Sequence, residues 1–246
     1  MSTANAYRPP SGFSAFPPVV KNLLIVNGLV FLAQIVFQLR SGVDLPATGP
    51  MDPLGVIQQA FSLWPLGAPG QVQVGAEVVA WPQFYPWQLV TSAFLHADVS
   101  HILFNMFGLW MFGAAVERTL GSKRFFWFYL VAVLGASLAQ LAVVSAPNLL
   151  GAASPSLYPT LGASGGVLGV LAAFGMLYPD EKIFLLFLPI PIPAKWFVLG
   201  YAAMDLFGGF GAYASNTAHF AHLGGMITGA LLILYWRRQK QLQRTL

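Results

Sequence analysis

Residues 124–145 read RFFWFYLVAVLGASLAQLAVVS, and the charged side chain in this run is Arg124 at its first position. An α-helix rises 1.5 Å per residue, so about 20 apolar residues cross the roughly 30 Å hydrocarbon core of a bilayer. This run is long enough and apolar enough to do so. It predicts a transmembrane helix and points to an integral membrane protein.

Five further runs of this kind lie at roughly 20–39, 99–117, 162–178, 194–210 and 217–236. Clusters of Pro and Gly separate them, as in the PIPIP sequence of residues 189–193, and such clusters interrupt helices. We therefore predict an all-α integral membrane protein built as a bundle of six transmembrane helices.

The composition supports the same class. The 246 residues are 57% hydrophobic and 8% charged, with a mean hydropathy of +0.66, whereas about 25% of residues in a typical soluble domain are charged. These values exclude a soluble domain. The chain has no Cys, which excludes disulfides, thiol nucleophiles and Cys-ligated metals.

The predicted domain spans residues 20–236, between an N-terminal tail (1–19) and a C-terminal tail (237–246). The N-terminus lacks a signal-peptide pattern, so we expect the first span to be retained. The connection at about 40–98 is long and rich in Trp and Pro. Because Trp favours the headgroup level of a bilayer, we predict that this first loop is a structured element at the external interface.

Lysine and arginine predict the orientation, since short segments rich in these residues stay in the cytoplasm. With both termini inside, every Lys and Arg except Arg40 falls on the cytoplasmic side. The formal net charge of +4 is then a topology signal. Basic patches interleaved with aromatics are missing from the sequence, so nucleic-acid binding is not predicted.

Polar residues at membrane depth are functional candidates, because uncompensated polar groups are costly there. Three such clusters occur, at 96–105 (HADVSHILFN), 161–166 (LGASGG) and 218–229 (AHFAHLGGMITG). Each opens an even-numbered span, and a chain that starts inside enters those spans from the outside. We therefore predict that all three clusters share one layer near the outer surface.

Glycine spacing predicts how two of these clusters meet. His222, Gly225 and Gly229 lie on one face of the sixth span, and Ser164 is followed by Gly165 within a glycine-rich start of the fourth. Small residues at such spacings let helices approach closely. We therefore predict that Ser164 packs against His222, which would make it an activated nucleophile with its base.

The second span adds His101 and Asn105, which are four residues apart and so share a helix face. Together with the backbone N–H of Ser164, they are candidate donors to a tetrahedral oxyanion. Structural interpretations stay open for each residue alone. A Ser among Gly is usually a packing residue, a His can cap a helix, and an Asn can join two helices.

These motifs, taken with Leu89–His96 (LVTSAFLH), Glu117–Gly121 (ERTLG) and the PIPIP sequence, resemble the rhomboid intramembrane serine proteases in their basic six-helix bacterial form. The likeness runs from about Trp87 to the end of the sixth span. It implies a rhomboid-like bundle in which Ser164 is the nucleophile and His222 the general base of a dyad. It also implies an oxyanion hole that includes His101 and Asn105.

The resemblance further implies cleavage of single-span membrane proteins near the outer surface, without cofactor, metal or ATP. Hydrolysis needs water, so we expect a hydrophilic cavity lined by the dyad and the oxyanion donors. We also expect the loop Phe207–Tyr213, which has hinge-like glycines and bulky aromatics, to form a lid over it. The expected location is the inner membrane of a bacterium.

The family pattern Ala-His-x-x-Gly-x-x-x-Gly distinguishes the two His of the sixth span. It fits Ala221 and His222, which leaves His219 as a hydrogen-bonding neighbour at the rim. His96 is expected to hold the start of the second span to the first loop. Supporting roles are expected for Gly162, Gly165 and Gly225. Asp205 is a candidate third member of the site, but the resemblance implies a dyad.

Two positions depart from the family pattern. Gln88 follows Trp87 where the family usually has Arg, which puts the anchoring of the first loop in question. Leu168 stands where many members have an aromatic that packs on the catalytic His.

Two rival functions come from other classes. One is a catalytically silent rhomboid-like protein that binds membrane clients. The other is a membrane haem protein with His101 and His222 as axial ligands. The sequence does not define the natural substrate, the cleavage site or the oligomeric state.

Overall fold

A computed structural model describes residues 16–41, 56–74, 76–152, 156–185, 188–210 and 218–245. The described chain is mostly helical. Its helices are α1 (Pro18–Ser41), α2 (Val56–Phe61), α3 (Gln88–Thr91), α4 (Val99–Gly108), α5 (Ala114–Leu120), α6 (Ser122–Leu149), α7 (Ser164–Leu177), α8 (Ala194–Gly209) and α9 (His219–Thr245). A 3₁₀ turn (Ser92–Phe94) follows α3, and a π turn (Leu109–Gly113) joins α4 to α5. Two antiparallel hairpins, β1 (Gln71–Val74) with β2 (Glu77–Ala80) and β3 (Lys182–Leu185) with β4 (Leu188–Pro193), complete it.

A helix lies at each of the six predicted spans. Four stretches are long and apolar enough to cross a membrane by themselves: Pro18–Gln38, Val99–Leu120, Ser122–Leu149 and His219–Gln239. The prediction of a helical membrane protein is therefore confirmed, while the count of six crossings stays a prediction. Most of the predicted N-terminal tail lies outside the described residues.

The apolar helix α7 has only 14 residues and would extend about 21 Å at 1.5 Å per residue. Every residue from Gly165 to Gly175 is buried. Because its neighbours in the bundle cover it, α7 does not have to match the thickness of the hydrocarbon core.

Glycines set the distance between α7 and α9. A Cβ built on Gly225 would lie 1.9 Å from the carbonyl oxygen of Gly165, and one on Gly229 would lie 2.8 Å from that of Gly169. A Cβ on Gly165 would lie 2.4 Å from the Ala136 Cβ on α6 and 3.3 Å from the carbonyl oxygen of Ala221 on α9. The three central helices therefore pack nearly backbone to backbone, as the predicted glycine stripe requires.

Glu117 attaches α1 to this centre. Its carboxylate is almost completely buried and accepts the backbone N–H groups of Val19 (3.0 Å) and Val20 (2.8 Å). It also accepts the hydroxyl of Ser122 at 2.7 Å. An anion at a helix N-terminus is stabilised by the unpaired N–H groups and the helix dipole, so one carboxylate joins the start of α1 to the junction of α5 and α6.

The described part of the long first loop is structured. The rings of Trp64 and Trp81 pack edge to face at 6.1 Å. Leu63 and Thr160 exchange backbone hydrogen bonds of 2.8 and 2.9 Å. The loop is thereby held against the segment before α7, although residues 42–55 and 75 lie outside the described range.

Gln88 provides an anchor in place of the missing arginine. It is fully buried, and its side-chain oxygen accepts the backbone N–H groups of Trp64 (3.3 Å) and Tyr85 (3.1 Å). Its amide nitrogen donates to the carbonyls of Ala60 (3.3 Å) and Gln83 (3.2 Å). A neutral amide therefore links four points of the first loop, with both polar atoms satisfied.

The α7–α9 contact predicts a strong difference between two Gly→Ala substitutions. Gly225→Ala should lower the free energy of unfolding by about 1–3 kcal/mol or more, because the methyl overlaps the Gly165 carbonyl and forces the helices apart. Gly200→Ala is the matched control, since nothing lies within 4 Å of a Cβ on Gly200 and Ala favours a helix by about 1 kcal/mol. Thermal unfolding in detergent measures both, and equal stability of the two variants would contradict the packing.

Asp98 caps α4 and makes its stability pH-dependent. Its carboxylate accepts the hydroxyl of Ser100 and the backbone N–H of His101, the latter at 2.8 Å. These bonds, the Ser100 bond first, hold the pKa of Asp98 below its usual range. The stabilisation is therefore complete above the carboxyl's unfolded pKa and is lost as the pH falls through the lower folded pKa.

We expect Asp98→Ala to cost about 1 kcal/mol of unfolding free energy at pH 7. Asp98→Asn keeps a cap but loses the charge, so its deficit relative to wild type should shrink as the pH falls toward 3. Unfolding midpoints measured from pH 7 to pH 3 check this. If the stability deficit of Asp98→Asn does not change with pH, the negative charge of Asp98 contributes nothing to the cap.

Candidate active site

Ser164 is the first residue of α7 and is half-buried. The chain enters α7 through Gly162, whose φ of +128° disfavours a residue with a side chain. The backbone N–H of Gly162 donates to the carbonyl of Ser92 at 2.9 Å. This turn, tied to the segment between α3 and α4, determines where the Ser164 hydroxyl lies.

His222 lies in the first turn of α9, opposite Ser164. Its Nε2 is 2.8 Å from the Ser164 Oγ, and the residue is 6% exposed. The two residues are 58 positions apart in sequence. They meet because the glycine contacts described above bring the starts of α7 and α9 together.

Asp205, near the C-terminal end of α8, contacts both histidines of α9. Its Oδ1 lies 2.7 Å from the Nδ1 of His219, and its Oδ1 and Oδ2 each lie 3.1 Å from the Nδ1 of His222. The carboxylate side chain is 2% exposed. His219 therefore lies against Asp205 inside the protein and is itself buried.

These contacts assign the tautomer of His222. A carboxylate only accepts hydrogen bonds, so the Nδ1 that faces Asp205 carries the proton in the neutral ring. Nε2 is then an acceptor and faces a hydroxyl, which can donate to it. The side chains stand in the order carboxylate, imidazole and hydroxyl.

An aromatic ring reaches His222 from a helix other than the one expected. Leu168 on α7 cannot provide it, but Tyr201 on α8 has its ring centre 6.4 Å from that of His222, at an angle of 53°. The sequence pattern missed this contact, because Tyr201 becomes a neighbour only once α8 packs against α9.

His101, on the first turn of α4, borders Ser164 across Gly162. A Cβ built on Gly162 would lie 2.7 Å from the His101 Nε2 and 3.7 Å from the Ser164 Oγ. The Nδ1 of His101 accepts the backbone N–H of Ala97 at 3.3 Å, so Nε2 carries the proton in the neutral ring. The ring N–H of His101 is therefore on Nε2, the nitrogen that lies next to Gly162.

Asn105 lies one turn further along α4 and is buried. Its Nδ2 donates to the backbone carbonyl of His101 at 3.0 Å. The amide carries a second hydrogen, which a ligand can accept. His101 and Asn105 share a helix face, as predicted, and α4 packs against α7.

His96, at the end of the first loop, is tied to α1. Its backbone N–H donates to the Gln34 side chain at 3.1 Å, and its carbonyl accepts from the same side chain at 3.0 Å. Its ring packs edge to face on His101 at 5.1 Å. Burial, and then the nearby His101, lower the pKa of His96 to about 3, so the ring is neutral at physiological pH.

Two glutamines missed by the sequence analysis support the site. Gln34 holds His96, and Gln140 on α6 accepts the backbone N–H of Ala221 at 3.1 Å while donating to Thr160 at 3.2 Å. Gln34 and Gln140 are buried. Both lie inside predicted spans, so the cost of polar groups in a membrane was a signal that pointed to them.

One cavity among the described residues lies next to the candidate site, and the hydrophilic cavity lined by the dyad and the oxyanion donors stays a prediction. This cavity beside Ser164 is bordered by Gly162 and Gly165, with polar side chains from Ser92, Ser137, Gln140 and Thr160. The side chains of the Ser164–His222 pair, His101 and Asn105 do not line it. The predicted lid, Phe207–Tyr213, begins within the last turn of α8, and its residues 211–213 lie outside the described range.

Asp205, His219 and His222 form the group of described residues whose side chains could hold a metal ion. Two ligands about 2.1 Å from a tetrahedral metal stand about 3.4 Å apart. The Asp205–His219 contact of 2.7 Å and the Asp205–His222 contacts of 3.1 Å are shorter. These distances fit hydrogen bonds better than metal ligation.

Comparison with known proteins agrees with the resemblance seen in the sequence. Residues 83–239 match the Rhomboid domain family. The chain is 36% identical over 168 residues to "Rhomboid protein 1, mitochondrial" of Saccharomyces cerevisiae, covering 64% of this chain and 44% of the relative. It is 35% identical over 146 residues to "Rhomboid protease GluP" of Bacillus subtilis, covering 58% and 24%.

The chain thus aligns with less than half the length of these curated relatives. The names of these relatives include both a protease and a mitochondrial protein. The family match covers more than half of this chain, and the helices include four that can cross a membrane. The chain is a multi-pass membrane protein that belongs to the rhomboid family.

Proposed function

We propose that this protein is an intramembrane serine endopeptidase that cleaves transmembrane segments of membrane protein substrates. The observation that carries the proposal is the 2.8 Å contact between the Ser164 hydroxyl and the His222 Nε2. A serine hydroxyl beside an unprotonated imidazole nitrogen is the arrangement of a nucleophile and its general base.

In the proposed reaction, the Ser164 Oγ attacks the scissile carbonyl carbon while its proton moves to the His222 Nε2. The carbonyl oxygen becomes an oxyanion. When the tetrahedral intermediate collapses, the C–N bond breaks and the imidazolium gives its proton to the leaving amine. Water then attacks the Ser164 ester, with His222 again taking the proton, and releases the acid product.

The oxyanion would be bound by donors on two helices. The backbone N–H of Ser164 is at the N-terminus of α7, where the helix dipole favours negative charge. His101 offers its Nε2–H near Gly162, and Asn105 has a second amide hydrogen. Such donors act strongly where water is excluded. No metal or other cofactor is required for these steps.

The proposed topology has six crossings, formed by α1, α4–α5 and α6 to α9. Eight described cations lie near one end of this arrangement, at the start of α1, the α5–α6 junction, the segment between α7 and α8, and the end of α9: Lys21, Arg118, Lys123, Arg124, Lys182, Lys195, Arg237 and Arg238. Arg40, at the other end of α1, is the exception. Ser164 and His222 open their helices at the opposite end.

This distribution supports cytoplasmic termini and a site that opens to the external side. We propose the inner membrane of a bacterium as the location, residues 20–236 as the membrane domain with an external first loop, and residues 1–19 and 237–246 as cytoplasmic tails. We also propose single-span membrane proteins as substrates, because their helices can reach the site from the bilayer.

Labelling by a fluorophosphonate that reacts with activated serines tests the nucleophile. Wild type should be labelled, and Ser164→Ala should lose labelling because the reactive oxygen is gone. His222→Ala should lose at least about 10²-fold in labelling rate, since general-base help is removed. Labelled Ser164→Ala would contradict the assignment.

Cleavage of a single-span substrate in liposomes then separates the enzyme from the rival, a silent client-binding protein. Cleavage that depends on Ser164 supports the peptidase. Substrate binding without cleavage by wild type would favour the rival.

For Asn105→Ala, we expect a fall in turnover corresponding to about 2–4 kcal/mol of activation barrier, because an oxyanion donor is lost. Asn27→Ala on α1 is the matched control. The Asn27 Nδ2 makes the same local bond, to the carbonyl four residues earlier at 2.8 Å, but it lies outside the site. Steady-state cleavage rates that fall equally in both variants would make Asn105 structural.

A further inference from the structure

We propose that Asp205 is a positioning residue that makes the Ser164–His222 pair a triad, with His219 holding the carboxylate in place. The inference rests on the serine peptidase function proposed above. It differs from the dyad implied by the family resemblance, because it gives Asp205 on α8 a role in orienting His222.

The first step is the burial of the carboxylate. Asp205 is 2% exposed and lies in an apolar helix, where an uncompensated charge is costly. Two imidazole N–H groups point at it, from His219 at 2.7 Å and His222 at 3.1 Å. A carboxylate that receives two donors in a buried place has a defined orientation.

The second step concerns the different roles of the two histidines that contact Asp205. His219 and His222 are three residues apart on α9 and so lie on one face. His219 binds Oδ1 by the shorter contact of 2.7 Å, while both Oδ1 and Oδ2 lie 3.1 Å from the Nδ1 of His222. His219 therefore restrains the carboxylate, and the carboxylate restrains His222.

The third step is the effect on proton transfer. The bond from the His222 Nδ1–H to Asp205 keeps Nε2 unprotonated and directed at the Ser164 Oγ. When Nε2 takes the Ser164 proton, the ring becomes an imidazolium beside a negative carboxylate. Asp205 keeps its charge throughout and stabilises the ion pair, and the proton passes from Nε2 to the leaving amine.

The proposal also gives α8 a defined function. Asp205 is the side chain by which α8 contacts the imidazole opposite the nucleophile, and Tyr201 on the preceding turn packs against the same ring. Movement of α8 away from α9 would release His222 on both sides. The geometry of the base then depends on three helices rather than on α7 and α9 alone.

The test compares Asp205→Asn with Asp180→Asn in the full-length protein. Asp180 is a matched carboxylate, exposed and paired with Lys195 at 2.6 Å, at the opposite end of α8. We expect kcat of Asp205→Asn to fall on the order of 10²–10⁴-fold with a much smaller change in KM. His219→Phe should lower kcat by about tenfold, and Asp180→Asn should match wild type.

The pH profile provides a readout that a purely structural role would not change. The titratable groups around His222 in the described residues are Asp205 and Tyr201 on α8, His219 on α9 and His101 on α4. Without the carboxylate, the imidazolium loses its counter-charge. The pH profile of kcat/KM should therefore differ from that of wild type in Asp205→Asn and match it in Asp180→Asn.

The tautomer of His222 in the wild-type protein is a second measurement that needs no variant to fold. NMR of histidine labelled with ¹⁵N should show the proton on Nδ1. A proton on Nε2 would overturn the proposal, as would an Asp205→Asn protein with wild-type kcat and an unchanged pH profile. If wild type itself shows no Ser164-dependent labelling, the proposed function fails instead.

Discussion

The contact between α7 and α9 is the constraint on which the site depends. These helices touch through the Gly165 carbonyl and the Gly225 backbone, with space too small for even one methyl group. The Ser164 Oγ and the His222 Nε2 lie only 2.8 Å apart as a result. A hydrogen bond tolerates about 0.5 Å of change in this distance. The Ser164–His222 hydrogen bond, and with it the chemistry of the site, therefore requires the close packing of α7 and α9.

Burial then determines what the polar groups can do. In a bundle that faces lipid, each charged or polar side chain must find partners inside the protein. Glu117 finds two N–H groups of α1 and the Ser122 hydroxyl, and Asp205 finds two imidazoles. These bonds orient the groups, because a buried partner that turned away would leave an unsatisfied charge.

Much of the architecture could be predicted because membrane helices are governed by simple rules. Apolar length located a helix at each predicted position. The prediction of helix boundaries was less exact for segments that contact other helices rather than lipid. Residues of α7 are covered by neighbouring helices, so it can be shorter than a lone span, and α6 continues past Pro147 to Leu149. Local propensity alone does not define either boundary.

The candidate site could be predicted in part. The rule that polar groups are costly in membranes identified Ser164, His101 and His222, and helical spacing put His101 and Asn105 on one face. Gln88 in place of the family's usual Arg puts the anchoring of the first loop in question at the level of sequence, yet its amide joins four backbone groups of that loop. The residue type alone could not show this, because the amide can use both its donor and its acceptor only where the folded backbone places partners on both sides of it.

The sequence by itself determined the class of protein, the positions of its helices and the residues with the chemistry for a serine site. These follow from properties along the chain, namely apolar length, charge distribution and helical period. Only the tertiary structure decided that Asp205 reaches both His219 and His222, that Tyr201 packs on His222, and that His96 is held by Gln34. Each of these contacts joins different structural elements, and their distances depend on how closely the backbones approach, which no single segment encodes.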